Sequence, residues 1–183
     1  MRSKLEDILI VPNGHLNIIN LYKLYFIENF MTKVKYEIDV NAPVEQVYGY
    51  YTNPDNIKEA WPQDIVKESQ SLSGSKNEEG SEMKVKGEYM GREDEMILQV
   101  TDKEPNKRLI TEQKDGPFKY WKSVQEFNGS QNTTHISHSI DYELPSSGKI
   151  ANFLSGDSAN NRIEKGLQQA ARTVKQKLES QPA

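Results

Sequence analysis

Three histidines and no cysteine limit the chemistry open to this 183-residue chain. Without cysteine there is no disulfide, no thiolate nucleophile and no sulfur-ligated metal. His135 and His138 resemble a metal pair, but their odd separation on a strand sends them to opposite faces. No helical His-x3-His occurs either, so no metal site is expected. His138 is in phase with Thr134, Ile136, Ile140 and Tyr142 and is expected to face inward. There it either exchanges a hydrogen bond or a proton with a polar ligand group, or is a structural histidine satisfied by a neighbouring strand or water. Asp94 stands on the otherwise apolar face of Met96, Leu98 and Val100. Near a strand end it either reaches solvent or pairs inside with His138 or Lys119. No residue is assigned as catalytic; His138 and Asp94 are the candidates if the chain catalyses anything. The glycine- and serine-bearing stretches 74–80 and 155–161 match no phosphate-binding loop, and no cofactor is expected.

Holding these side chains requires strands, and the spacing predicts them. Residues 33–41 alternate, with Val34, Tyr36, Ile38 and Val40 on one face and Lys33, Lys35, Glu37 and Asp39 on the other. Pro43 suits a first helical turn, and Val44, Val47, Tyr48 and Tyr51 recur at helical spacing, predicting a short helix over 43–52. Asn53 is the expected N-cap of a second short helix through Ala60, which Trp61-Pro62 ends. Strands are predicted over 64–72, 81–90, 92–103, 107–114, 117–127 and 132–143, divided by turn formers such as Gly91, Asn106, Gly116-Pro117 and Asn128-Gly129. No crossover helix interrupts them, so neighbours are expected to be antiparallel. Beyond Ile150, Phe153 and Leu154, the residues Ile163, Leu167, Ala170, Ala171, Val174 and Leu178 mark one face of an amphipathic helix of roughly 20–30 residues. The order predicts an α+β fold in which this helix buries its face against the sheet.

The composition, 35% hydrophobic and 27% charged, suits a globular chain. A net charge of −4 with interspersed signs leaves no basic footprint, so no nucleic-acid partner is expected. The absence of cysteine fits the reducing cytoplasm, the expected location. Residues 1–30 read differently from the rest. Leu16 to Ile27 is apolar-rich but only about a dozen residues long, short of the roughly 20 that span a bilayer, so no transmembrane segment is expected. Ile27-Glu-Asn-Phe30 does not resemble a signal cleavage site. The segment is expected to be an extension, flexible or upstream of a true start near Met31. The rival is a segment docking through Leu16, Ile19, Phe26, Ile27 and Phe30 on the domain or, transiently, on a membrane surface. The domain is expected over 31–180 with a tail at 181–183. The oligomeric state is left open.

Several stretches together carry a family resemblance: Val40-Asn-Ala-Pro43-Val44-Glu45-Gln46-Val47, Asn53-Pro54, Trp61-Pro62, Phe127, Thr134, Tyr142-Glu-Leu-Pro145 and the C-terminal helix. Over about residues 33–180 the chain resembles the START-like, Bet v 1-like (SRPBCC) superfamily, particularly its polyketide cyclase/dehydrase and lipid-transport branch. The resemblance implies a helix-grip: a curved antiparallel sheet wrapped around the long C-terminal helix, with two short helices after the first strand. It also implies a cavity between sheet and helix for apolar or amphipathic small molecules such as lipids, quinones or polyketides. Some members are cyclases or dehydratases, and others remodel protein partners.

Strand parity then nominates the lining. If Phe127 faces inward, so do Gln125, Ser123, Trp121 and Lys119. The candidate ligand-binding set is Tyr48, Tyr51 and Trp61 on the short helices, and Val85, Tyr89, Met96, Leu98, Trp121, Ser123, Gln125, Ile136, His138 and Ile140 on the strands. Phe153, Leu154, Ile163 and Leu167 join it from the C-terminal region. Such side chains suit an adaptable pocket and equally suit a filled core. Trp61 and the Tyr48–Tyr51 cluster either gate the mouth or staple the short helices to the sheet. The expected function is binding or transport of a hydrophobic small molecule. The alternatives are a cyclase/dehydratase-type enzyme using His138 with Asp94, or a protein-interaction module. A binder is preferred because no catalytic residue stands out.

Overall fold

The computed structural model describes residues 31–72, 78–89, 91–129, 132–145 and 157–180. Strand β1, Thr32–Val40, leads into helices α1, Val44–Tyr51, and α2, Pro54–Ala60. Six strands follow: β2 Val66–Ser71, β3 Glu82–Tyr89, β4 Arg92–Glu104, β5 Arg108–Asp115, β6 Tyr120–Gly129 and β7 Thr134–Glu143. Helix α3, Asp157–Glu179, ends the described chain. The seven strands form one antiparallel sheet in the order β1-β7-β6-β5-β4-β3-β2, curled around α3 as a helix-grip. The α1–α2 link therefore carries the chain from one edge of the sheet to the other.

Local chemistry explains most boundaries. The Pro43 carbonyl accepts the first helical bonds from Gln46 and Val47, and Asn53 Oδ1 accepts the Asp55 N–H at 3.2 Å, capping α2. Strand β2 starts at Val66 rather than 64, because the N–H groups of Ile65 and Val66 both turn back to the Pro62 carbonyl. Strand β6 starts at Tyr120 rather than 117. Here the Gln113 side chain clamps the preceding turn, donating to the Phe118 carbonyl at 2.7 Å and accepting the Phe118 N–H at 3.3 Å. That clamp corrects the expectation for Lys119, which is exposed and paired with Glu143 instead of facing inward.

The curl has visible causes. The β2–β3 register shifts between Val66 and Glu68, and the β4–β5 register between Ile97 and Leu98 and again between Val100 and Asp102. Such bulges bend a strand and increase its twist. At Gly87 the start of β2 comes so close that an added Cβ would lie 1.9 Å from the Ile65 carbonyl oxygen, and Glu88 N–H bonds to that same oxygen. Only glycine allows this approach. At the other end, Asn41 N–H donates to Glu179 Oε1, Lys175 Nζ donates to the Asp39 carbonyl, and buried Thr134 Oγ1 donates to the Ala42 carbonyl.

Two apolar clusters pack under α3. One gathers Met83, Val85, Tyr89, Met96, Leu98, Phe118, Trp121, Ile140, Tyr142 and Leu167. The other gathers Val40, Val47, Tyr48, Val100, Leu109, Phe127, Ile136, Ala170, Val174 and Leu178. Along β6 the inward face runs Trp121, Ser123, Gln125, Phe127, and along β7 it runs Ile136, His138, Ile140. A belt of uncharged polar side chains thus crosses the sheet between the clusters.

Candidate functional site

A half-open cavity of about 120 Å³ lies between the sheet and α3. Its floor is the inward face of β3 to β7, including Val85, Tyr89, Met96, Leu98, Thr111, Trp121, Ser123, Gln125, His138 and Ile140. Its roof is α3, which presents Ala159, Ile163, Ala170 and Val174. The alanines matter, because short side chains on the gripped helix leave the sheet unfilled opposite them. Tyr51, Ile57, Ala60, Trp61 and Ile65 line the side toward α1 and α2. The Trp61 and Ile65 side chains seat over Gly166 of α3, where an added Cβ would meet them at 3.0 and 2.7 Å.

The polar belt centres on His138, which is 4% exposed. Ser123 Oγ lies 2.8 Å and Gln125 Nε2 3.4 Å from its Nε2. Burial without a counter-charge pushes the imidazole pKa down to about 3, so the ring is neutral at physiological pH. Thr111 faces Ser123 across the β5–β6 ladder, and Gln125 faces His138 across β6–β7. The Tyr51 ring stands edge-on to His138 at 6.2 Å and to Phe127 at 5.4 Å. Its hydroxyl and Gln125 Oε1 are buried without a hydrogen-bond partner among the described residues. The charged side chains on the lining are Arg162 and Glu88, paired at 3.0 Å, with Arg162 Nη2 also donating to the Asp64 carbonyl at 2.6 Å. Both are half-buried, as are Ile57, Trp61, Ile65 and Ile163, and these residues mark the open side.

The structure brings together Tyr51, Trp61, Val85, Tyr89, Met96, Leu98, Trp121, Ser123, Gln125, His138, Ile140 and Ile163 on this lining. Three other nominated residues are core instead. Tyr48 packs edge-on against Phe127 at 5.3 Å, while Ile136 and Leu167 are sealed inside the clusters at 1% and 0% exposure. Phe153 and Leu154 lie outside the described residues, as do 1–30 and 181–183. Asp94 does not join His138 or Lys119. It pairs with Arg92 at 2.8 Å near the start of β4, with its side chain 32% exposed. His135 is on the outer face of β7, bonded to Asp39 at 2.7 Å. Among the described residues, no three His, Asp or Glu side chains converge as metal ligands.

Sequence reasoning missed Phe118, Thr111, Arg162 and the alanines of α3. Phe118 follows Gly116-Pro117 in a turn, yet it stacks with Trp121 at 4.7 Å and meets Tyr89 and Tyr142 edge-on. An aromatic residue directly after a tight turn was the available signal. Thr111 was masked by its neighbour Ile110, whose apolar character suggests the opposite parity. Arg162 belongs to the wet side by helical spacing, and only the curl of the sheet brings β3 beneath it.

Solved structures share the fold. They include a START superfamily protein from Mycobacterium smegmatis, 17% identical over 80% of this chain and 97% of that one, with a TM-score of 0.61. The Zhui aromatase/cyclase from Streptomyces is 15% identical over 81% of this chain and 94% of that one, with a TM-score of 0.63. Major latex-like protein 151 from Panax ginseng is 12% identical over 81% and 98%, with a TM-score of 0.61. Such identities speak to the fold alone. No curated protein sequence matches the chain. The sequence pattern described as polyketide cyclase / dehydrase and lipid transport matches residues 31–179, from the first residue before β1 to the end of α3. On that match the chain belongs to the polyketide cyclase / dehydrase and lipid transport family.

Proposed function

We propose that the chain binds or carries a hydrophobic or amphipathic small molecule, lipid-, quinone- or polyketide-like, between the sheet and α3. The observation that carries this reading is the cavity itself: about 120 Å³, walled by apolar side chains with one uncharged polar belt. Cavities of about 150 Å³ hold a benzene molecule, so this one suits roughly one ring or a short chain, with the remainder of a larger ligand at the open side. The domain is taken as residues 31–180 and its location as cytoplasmic. A cyclase-type reading needed a carboxylate beside His138, and Asp94 is paired with Arg92 instead. Native mass spectrometry of the purified protein with quinones, single-chain lipids and small aromatic compounds tests the proposal. A 1:1 complex that Ala170→Leu weakens is the expected result; no binding by any of the three classes would overturn it.

A further inference from the structure

The polar belt specifies what kind of molecule the cavity takes, an inference that rests on the binding reading above. Ser123 and Gln125 both reach Nε2 of His138. With both acting as donors, Nε2 is the bare acceptor and the ring proton sits on Nδ1, a tautomer assigned from this network. Gln125 then spends its amide N–H on the imidazole and keeps its oxygen. That Oε1 is buried and has no partner among the described residues, although Gln125 lines the cavity. The Tyr51 ring stands edge-on to the same imidazole, and its hydroxyl is likewise without a partner among the described residues. Burial pushes its pKa up, so it keeps its proton and remains a donor.

One oxygen that only accepts lies on the side chain bonded to the imidazole, and one hydroxyl that can donate is carried by the ring that meets it edge-on. A ligand hydroxyl satisfies both, donating to Gln125 Oε1 and accepting from Tyr51. A carboxylate does not, since it offers no proton to Gln125 and finds no cation among the described residues at this depth. The charged lining residues, Glu88 and Arg162, are at the open side and neutralise each other. An ammonium fares no better, because among the described residues no carboxylate lines the belt to offset its desolvation.

We propose that the cavity selects an uncharged ring compound bearing a hydroxyl, a phenol or cyclic alcohol, inserted hydroxyl-first onto Gln125 and Tyr51. Both tryptophans of the chain line the cavity, so intrinsic fluorescence, checked by calorimetry, reports occupancy. The probes are 4-methylphenol, 4-methylanisole, toluene and 4-methylbenzoate, which share the methylphenyl scaffold and differ in the polar group. The expected order is methylphenol tighter than methylanisole by roughly three- to tenfold, the worth of one neutral hydrogen bond. Methylbenzoate is expected to be weaker than toluene. Gln125→Leu should bring methylphenol down to the methylanisole level, and Tyr51→Phe should weaken methylphenol and methylanisole, whose oxygens both accept from that hydroxyl, more than toluene. Equal binding of methylphenol, methylanisole and toluene by the wild-type protein overturns this selectivity while leaving the binding reading intact. Tightest binding of methylbenzoate overturns it in the same way. Failure of all four probes to bind overturns this selectivity as well, and the binding reading is then decided by the quinones and lipids. The wild-type series decides the matter even if a variant does not fold.

Discussion

Lowering the pH from 7 to 5 puts the buried imidazole of His138 to a direct test. In the folded chain its pKa is held down to about 3 by burial, while in the unfolded chain it returns to about 6.5. Between those values the unfolded state binds the extra proton, so stability rises with pH across the window and is lost as pH falls below about 6.5. Linkage over this interval gives about 2 kcal/mol lost between pH 7 and pH 5 from this one residue. The surface carboxylate Glu93, lowered to about 2 by its hydrogen bonds to Lys67 and Lys86, takes up protons only below the window. With a urea m-value of about 2 kcal/mol/M, the unfolding midpoint should fall by about 1 M. The comparison is His138→Gln, which keeps a polar side chain but cannot titrate. Its baseline stability will be lower, because Ser123 and Gln125 lose the imidazole, but the pH-dependent loss should shrink by about 2 kcal/mol. Equal losses in the variant and the wild type would refute the claim that this histidine is buried neutral.

Three further outcomes follow from the geometry. Ala170→Leu places three more carbons in a space of about 120 Å³; binding should weaken by at least about tenfold. Urea unfolding should show little net change, since about 2 kcal/mol of added burial is offset by overpacking of similar size. Gly87→Ala drives a methyl group onto the Ile65 carbonyl, and a loss of roughly 2–4 kcal/mol in urea unfolding is expected; a loss below about 1 kcal/mol would mean that β2 and β3 can separate there without penalty. Arg162→Gln removes a half-exposed pair with Glu88, worth at most about 1 kcal/mol of stability. It should nonetheless speed ligand release several-fold in stopped-flow tryptophan fluorescence, and an unchanged off-rate would separate this ion pair from the opening.

Much of the scaffold was legible in one dimension because its determinants are local. Alternation over residues 33–41, the Pro43 and Asn53-Pro54 starts and the apolar stripe from Ile163 to Leu178 are properties of short windows, and each became the element its spacing implied. Period two also set the inward direction of Ser123, Gln125 and His138 before any neighbour was known. Parity reached its limit where the backbone broke phase. The register shifts in β4–β5 and the Gln113 clamp are long-range or side-chain events, and they decided that Thr111 and Phe118 face in while Lys119 faces out. The fate of Asp94 turned on a nearby arginine at the strand end.

Whether the inward-facing residues make a core or a cavity belongs to the tertiary structure alone. The same aromatic and methionine side chains suit either, and the sequence carries no measure of the distance between the sheet and the helix that it grips. That distance is set where β3, α2 and α3 meet: by Gly87 against Ile65, by Trp61 and Ile65 over Gly166, and by the alanines that α3 presents to the cavity. With small residues at those contacts the two clusters pack tightly at either end and leave the space between them open. His138 therefore stands in the wall of a cavity, a position its spacing could suggest and only the packing could create.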